Sequence, residues 1–298
     1  MISSGIYYNL SDEDYHKQYP WDEHYFSSSQ LKTVLEDPRM FHEQYIVGKR
    51  KEVSQAMQDA FDVGTVVHTA ILEPKKLKGS YAKWEGGNRT GKVWDDFLSN
   101  NVGKLILNKT MLSKANNAIS AFKKSELSKE LYRQDNGSKP EVSFFTEFMG
   151  LRIKVRADLL TRQGVIRDIK TSTGNVRDEK KIKNKVKDAG YDLSAALYVD
   201  VVNHCIKEFE IDVPPIKDFE WLFLSKDEGG FAQNYSAHSF LPLGRAKYRK
   251  AIELIHKHQS LGWKFPEEIV CIEPNGYELV DWKIKQSKKE GPSDEELL

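Results

Sequence analysis

The sequence predicts an α/β protein, with a mixed central sheet flanked by helices. Three observations carry that prediction. Residues Glu141–Phe148 and Leu151–Leu160 alternate apolar and polar side chains around Met149–Gly150, the pattern of a β-hairpin with a two-residue turn. A second turn at Thr161–Gly164 returns the chain as a third strand, Val165–Lys170. On either side of this meander, Gln55–Leu72 and residues 188–207 space apolar residues as a helix does, and Phe219–Ser225 adds an apolar strand.

The elements follow in order. Residues 1–20 read as a short strand-like start and polar turns, with Tyr7, Tyr8 and Tyr15 as packing residues. Ser27–Ser29 can cap a helix that begins near Gln30 and stops before Pro38, whose ring forbids continuation. Gln55–Leu72 places Phe61, Val63, Val66, Val67, Ala70 and Ile71 at helical spacing, and Gly64 and Thr65 give it a small face with His68 one turn beyond. Lys75–Gly91, with its GGNRTGK stretch, reads as a flexible loop without Walker spacing. Thr110–Leu131 reads as one amphipathic helix, and Arg245–Leu261 as a basic helix closed by Gly262 and Pro266. The closing stretch KQSKKEGPSDEELL has the composition of a disordered tail.

The hairpin register sets Glu141 opposite Asp158, Glu147 opposite Arg152, Phe144 opposite Val155 and Val142 opposite Ala157. The following turn brings Asp168 beside Asp158. Glu141, Asp158 and Asp168 then form one row across three strands, with Lys170 on the same face. Opposed like charges destabilise a sheet, and crowded carboxylates raise one another's pKa. A divalent cation reverses that sign, because Mg²⁺ prefers hard oxygen ligands. Such a cluster beside a lysine suits metal-assisted hydrolysis of a phosphodiester. A charged, solvated hairpin with no such role is the bland alternative.

Composition bounds the remaining choices. The chain has 298 residues, a net charge of +1, 39% hydrophobic residues and 11% aromatics, enough to bury a substantial core. Its two cysteines, Cys205 and Cys271, cannot build a disulfide framework or a four-cysteine cluster. No apolar run reaches transmembrane length and no basic-then-apolar leader opens the chain, so a soluble, cytoplasmic protein is expected. The charge is unevenly spread. Arg152, Lys154 and Arg156 alternate on the face carrying Asp158, and Arg177–Lys187 holds six basic and two acidic residues. Both runs read as phosphate-gripping surface with solvated faces as the alternative, and for Arg177–Lys187 the two readings weigh equally.

The residues Ala157-Asp158 … Asp168-Ile169-Lys170 resemble the signature of the PD-(D/E)XK nuclease superfamily. Within it the chain resembles the exonuclease VIII (RecE-type) family of phage and prophage recombination nucleases. GIYYNLSDEDYH, SSSQLKTVLEDPRMF, GTVVHTAILEP, EVS, VRADLL, IRDIKTST, GYDLSAALYVD and the GRAKYRKAIELI to LGWKFP region are similar to successive pieces of that family. The resemblance implies a Mg²⁺-dependent exonuclease, with Mn²⁺ substituting, acting 5′-to-3′ on double-stranded DNA ends. It implies 3′ single strands passed to an annealing protein, a homo-oligomeric ring, and work in a bacterial host cell. His68, Glu141, Asp158 and Asp168 would hold metal with the Ile169 carbonyl as a further ligand, and Lys170 would orient or activate the attacking water. Arg152, Lys154, Arg156, Ser172, Thr173, Ser194 and Tyr198 would contact DNA. Ser194 stands where the family helix carries Gln, a departure that replaces an amide with a shorter hydroxyl. With only two cysteines, the chain departs from the iron–sulfur branches of the superfamily. Endonucleases or repair nucleases of the same superfamily, and a non-catalytic DNA-end binder on this fold, are the rival readings. The expected organisation is a single domain over residues 1–280, comprising a lead-in of 1–50, a core of about 55–225 and a helical region of 240–280. A flexible tail follows at 281–298.

Overall fold

A computed structural model describes residues 2–17, 20, 23–49 and 52–265. The chain divides into two units, Met1–Trp263 and Lys264–Leu298. Among the described residues, the sheet and its flanking helices belong to the first. Cys271 and the expected tail lie outside the described residues.

Ordered along the chain, the N-terminal elements are β1 (Gly5–Tyr7), α1 (Asp12–His16), α2 (Ser28–Glu36), α3 (Pro38–Phe41), a π-helical turn at His42–Ile46 and α4 (Gln55–Leu72). Next come α5 (Pro74–Leu77), β2 (Tyr81–Trp84), α6 (Lys92–Ser99), β3 (Leu105–Asn108), α7 (Lys109–Lys124) and α8 (Glu126–Leu131). The central and C-terminal elements are β4 (Lys139–Phe148), β5 (Leu151–Leu160), β6 (Val165–Ser172), α9 (Glu179–Asp188), α10 (Tyr191–Glu208), β7 (Asp218–Ser225), β8 (Ala232–Ser236) and α11 (Leu241–Ser260). The main sheet runs β1-β4-β5-β6-β7-β8, antiparallel throughout except for the parallel β6–β7 pair. This is the mixed sheet the sequence predicts.

The turn Met149–Gly150 sets the β4–β5 register as expected, with Phe148 opposite Leu151, Glu147 opposite Arg152, Phe144 opposite Val155 and Val142 opposite Ala157. Both turn residues have positive φ (54° and 74°), the conformation that matches the strands' twist. One face of the sheet packs on α2, α10 and α11 through Ile153, Val155, Ala157, Phe219, Trp221 and Phe223. On the other face Leu159, Ile169, Leu222 and Leu224 meet α4 and α7 through Val67, Ile71 and Met111.

Several expectations shift in detail. The first well-formed helix starts at Ser28, because Ser27 caps it and its backbone N–H donates to Gln30 Oε1 at 2.8 Å. Pro38 ends that helix but also opens α3, where its missing N–H costs nothing. The segment expected as a loop at Lys75–Gly91 contains α5 and β2. The latter pairs in parallel with β3, and Arg89 anchors the stretch on α4 through Asp59 at 2.7 Å. The helix expected over Thr110–Leu131 is two, since Ser125 leaves the helical conformation and caps α8. The last helix starts earlier than expected, at Leu241, with Pro242 in its first turn.

Candidate active site

The β4–β5 ladder has one gap. Pairing is regular at Pro140–Leu159 and again at Val142–Ala157, but Glu141 and Asp158 between them make no ladder pair. Glu141 has φ of 50°, the left-handed region that a glutamate adopts only at a cost. The side-chain alternation of β5 loses phase at the same point, because Ala157 and Leu159 pack in opposite cores. Beyond it, β6 leaves β5. The two pair only at Leu159–Arg167 and Leu160–Ile166, whereas β6 stays with β7 from Val165 to Ser172. The carboxylate of Asp158 enters the split and accepts the Ile169 N–H at 2.7 Å.

His68 comes from α4, whose buried face (Val63, Val66, Val67, Ile71) seats the helix against the sheet. Its Nδ1 lies 3.3 Å from Asp158 Oδ2 and its Nε2 lies 2.9 Å from the Ile169 carbonyl oxygen. A neutral imidazole has one N–H, yet this ring faces two oxygen acceptors. A cation on one ring nitrogen, with the other nitrogen donating, resolves the conflict. Ligand atoms of His68, Glu141 and Asp158 all lie within 4.8 Å of one another. Burial, then the nearby Asp158 charge, pushes the Glu141 carboxyl up to about 8. Crowded, half-dry carboxylates with one imidazole are the donor set a hard divalent cation accepts, so these residues fit such an ion.

Asp168 stands one step from that group. Its Oδ2 is buried and pairs with Lys170 Nζ at 2.6 Å. Burial, then Asp158, raises the Asp168 pKa against the lowering pull of Lys170. For Lys170, burial works against the charge, but Asp168 and Asp158 outweigh it and hold the ammonium above its ordinary value. The expected single row is therefore divided, with Glu141, Asp158 and His68 on one side and the Asp168–Lys170 pair on the other.

The expected nucleic-acid contacts are dispersed. Lys154 is buried (5% exposed), and its ammonium donates to the Tyr15 carbonyl at 2.6 Å. Arg156 donates to Ser143 Oγ at 2.8 Å and to Asp12 Oδ1 at 2.5 Å, and its guanidinium lies 4.0 Å from the centre of the Tyr15 ring. These two members of the basic stripe fasten the N-terminal segment to the sheet. Arg152 is the exposed member, lying over Tyr25. Ser172 is buried and accepts from Lys185 Nζ at 2.7 Å, while Thr173 is exposed. Neither caps α9, a role taken by Asp178. Ser194 is half-buried on α10, and its side chain has no hydrogen bond among the described residues. Tyr198 packs edge-on against Phe219 with ring centres 6.1 Å apart, and burial pushes its phenol up to about 12.

The site also contains residues that sequence reasoning missed. Tyr191 offers its ring to the Lys170 ammonium, 4.9 Å from the ring centre. Lys32 from α2 lies over the same ring. The only sequence signal for either was membership of the segments SSSQLKTVLEDPRMF and GYDLSAALYVD, which carry the family resemblance.

No curated protein matches the chain. A crystal structure of a "Putative exonuclease" from Eubacterium rectale superposes with a TM-score of 0.56 at 16% identity, covering 91% of this chain and 98% of that one. At that identity the likeness speaks to fold. Residues 27–216, more than half of the chain, match the family described as a PDDEXK-like domain of unknown function (DUF3799), and that span holds His68, Glu141, Asp158, Asp168 and Lys170. The chain belongs to this PDDEXK-like family.

Proposed function

We propose that this chain is a Mg²⁺-dependent nuclease that hydrolyses phosphodiesters at double-stranded DNA ends. The observation that carries the reading is the split between β5 and β6, where His68, Glu141 and Asp158 converge beside the Asp168–Lys170 pair. His68, Glu141 and Asp158 would hold the cation, with Asp168 and the Ile169 carbonyl at its edge. The cation would stabilise charge developing on the phosphoryl group and lower the pKa of the attacking water. Lys170, kept as an ammonium by its two aspartates, donates to a phosphate oxygen or to the incoming water and so orients the attack. With one ring nitrogen of His68 on the cation, the other would donate to an oxygen acceptor, the Ile169 carbonyl lying 2.9 Å from Nε2.

From the family resemblance we further infer 5′-to-3′ resection leaving 3′ single strands, an annealing protein as partner, a homo-oligomeric ring and action in the cytoplasm of a bacterial host. The decisive experiment is end-labelled linear duplex, with covalently closed duplex beside it, incubated with and without Mg²⁺. Mg²⁺-dependent release of 5′ label from the linear form alone is expected. Cutting of the closed circle would assign an endonuclease of the same superfamily, and binding without cutting would assign an end-binding protein.

A further inference from the structure

Lys32 takes no part in the roles assigned above, yet it is built into the site. It projects from α2, and its methylene stem passes Gly190. A Cβ there would stand 3.1 Å from Lys32 Cδ, and Gly190 has φ of 60°, so both the space and the backbone conformation at position 190 suit glycine. The Lys32 ammonium lies 5.6 Å from the centre of the Tyr191 ring, the same ring that holds Lys170 at 4.9 Å. Both ammoniums thus lie near the same ring, close enough to repel one another. Lys170 is neutralised by Asp168, and Lys247, from the neighbouring α11, by Asp192 at 2.6 Å. Lys32 has neither an ion pair nor a hydrogen bond among the described residues.

A largely desolvated cation without an anion is costly, and a second cation on the same ring adds repulsion. Contact with the aromatic face recovers part of this. An anion within reach of both ammoniums reverses the sign of both terms. We propose that Lys32 is a phosphate-binding residue that, with Lys170 and Tyr191, holds a phosphodiester group of the strand being cut. This rests on the nuclease reading for the identity of the anion. It assigns Lys32 to binding and leaves metal binding to the acidic cluster. Either the scissile phosphate or its neighbour supplies the same chemistry.

The test uses the full chain and the variants Lys32→Met and Lys32→Arg. Affinity for a short duplex is measured in Ca²⁺, alongside metal-free thermal stability and Mg²⁺-dependent cleavage. Lys32→Met keeps the stem and removes the charge. It should melt at the same or a higher temperature, bind duplex about tenfold more weakly and lose cleavage at limiting substrate, and Lys32→Arg should restore most of the binding. Single methylphosphonates, which remove one phosphate charge, are placed at the scissile or the adjacent linkage. The one that weakens wild-type binding without further weakening Lys32→Met identifies the phosphate held. Unchanged binding in Lys32→Met overturns the proposal, as does a fall in melting temperature that Lys32→Arg fails to rescue. Wild-type protein that binds duplex through Lys32 but does not cut would refute the nuclease reading and leave the phosphate site standing. Wild-type protein that does not bind duplex refutes both.

Discussion

Strand β5 carries two sets of charges a few residues apart, and they have opposite fates. At Lys154 and Arg156 the cations meet acceptors: the Tyr15 carbonyl, Ser143, Asp12 and the face of Tyr15. At Asp158 and Glu141 two carboxyl groups crowd together beside His68, in a place where the ladder opens and a backbone is strained, and the one lysine nearby is taken by Asp168. The first set fastens the structure, whereas the second is held by it at a cost. Charge in a sequence does not separate these cases. What separates them is whether the fold itself supplies the counter-group.

The contrast can be broken most directly at the acidic end. Asp158→Ala and Asp168→Ala should each lower Mg²⁺-dependent cleavage by roughly 10²–10³-fold, the scale of losing one preorganised electrostatic group. Metal-free melting temperature should stay level or rise in Asp158→Ala as repulsion is relieved, and fall in Asp168→Ala, which strands the Lys170 ammonium. Full activity in either variant would remove the site proposed here. At the basic end the signs reverse. Lys154→Ala strands the Tyr15 carbonyl and should cost about 1–3 kcal/mol in denaturant unfolding, and an unchanged midpoint would show that the buried ammonium fastens nothing.

Glu141 sharpens the contrast through pH. Its carboxyl is raised in the folded chain from 4.5 to about 8. Between those values the metal-free folded protein keeps a proton that the unfolded chain has released, so stability falls as pH rises through the window. Glu141→Gln should flatten that slope, which melting curves from pH 5 to 8 would reveal. An equally steep slope in the variant would assign it to another group. The smallest effect is expected at Arg152. Arg152→Ala should change stability by no more than about 0.5 kcal/mol. If this residue grips phosphate, the variant should lower the salt slope of DNA affinity by about one, and an unchanged slope would leave it a surface residue.

Local rules made much of the fold legible. A two-residue turn fixes a hairpin register, so the β4–β5 partners can be read from the residues alone. The helix Gln55–Leu72 was visible in its period. The partner of Lys154 was not, because the Tyr15 carbonyl is remote in sequence and leaves no local pattern. β2 and β3 escaped notice because each is only four residues long, and β2 lies in a stretch whose Gly, Lys and Arg content suggests a loop. The acids were legible as a row, but the departure of β6 from β5 was not, since the alternation of Val165–Lys170 is the same whether or not its neighbour stays paired. His68 was singled out by resemblance more than by its helix, which any core histidine would have shared.

The pairing of β1 with β4 sets a timetable for synthesis. Ile6 lies opposite Phe144, so the first strand leaves the ribosome about 140 residues ahead of its partner, a wait of roughly 10–30 s at ordinary elongation rates. Through that interval Tyr7 and Tyr15 have no Phe145 to pack against, and the nascent chain carries an aromatic edge strand with nothing to pair. The segment that becomes an edge of the finished sheet is therefore the strand that waits longest for its partner while the chain is being made.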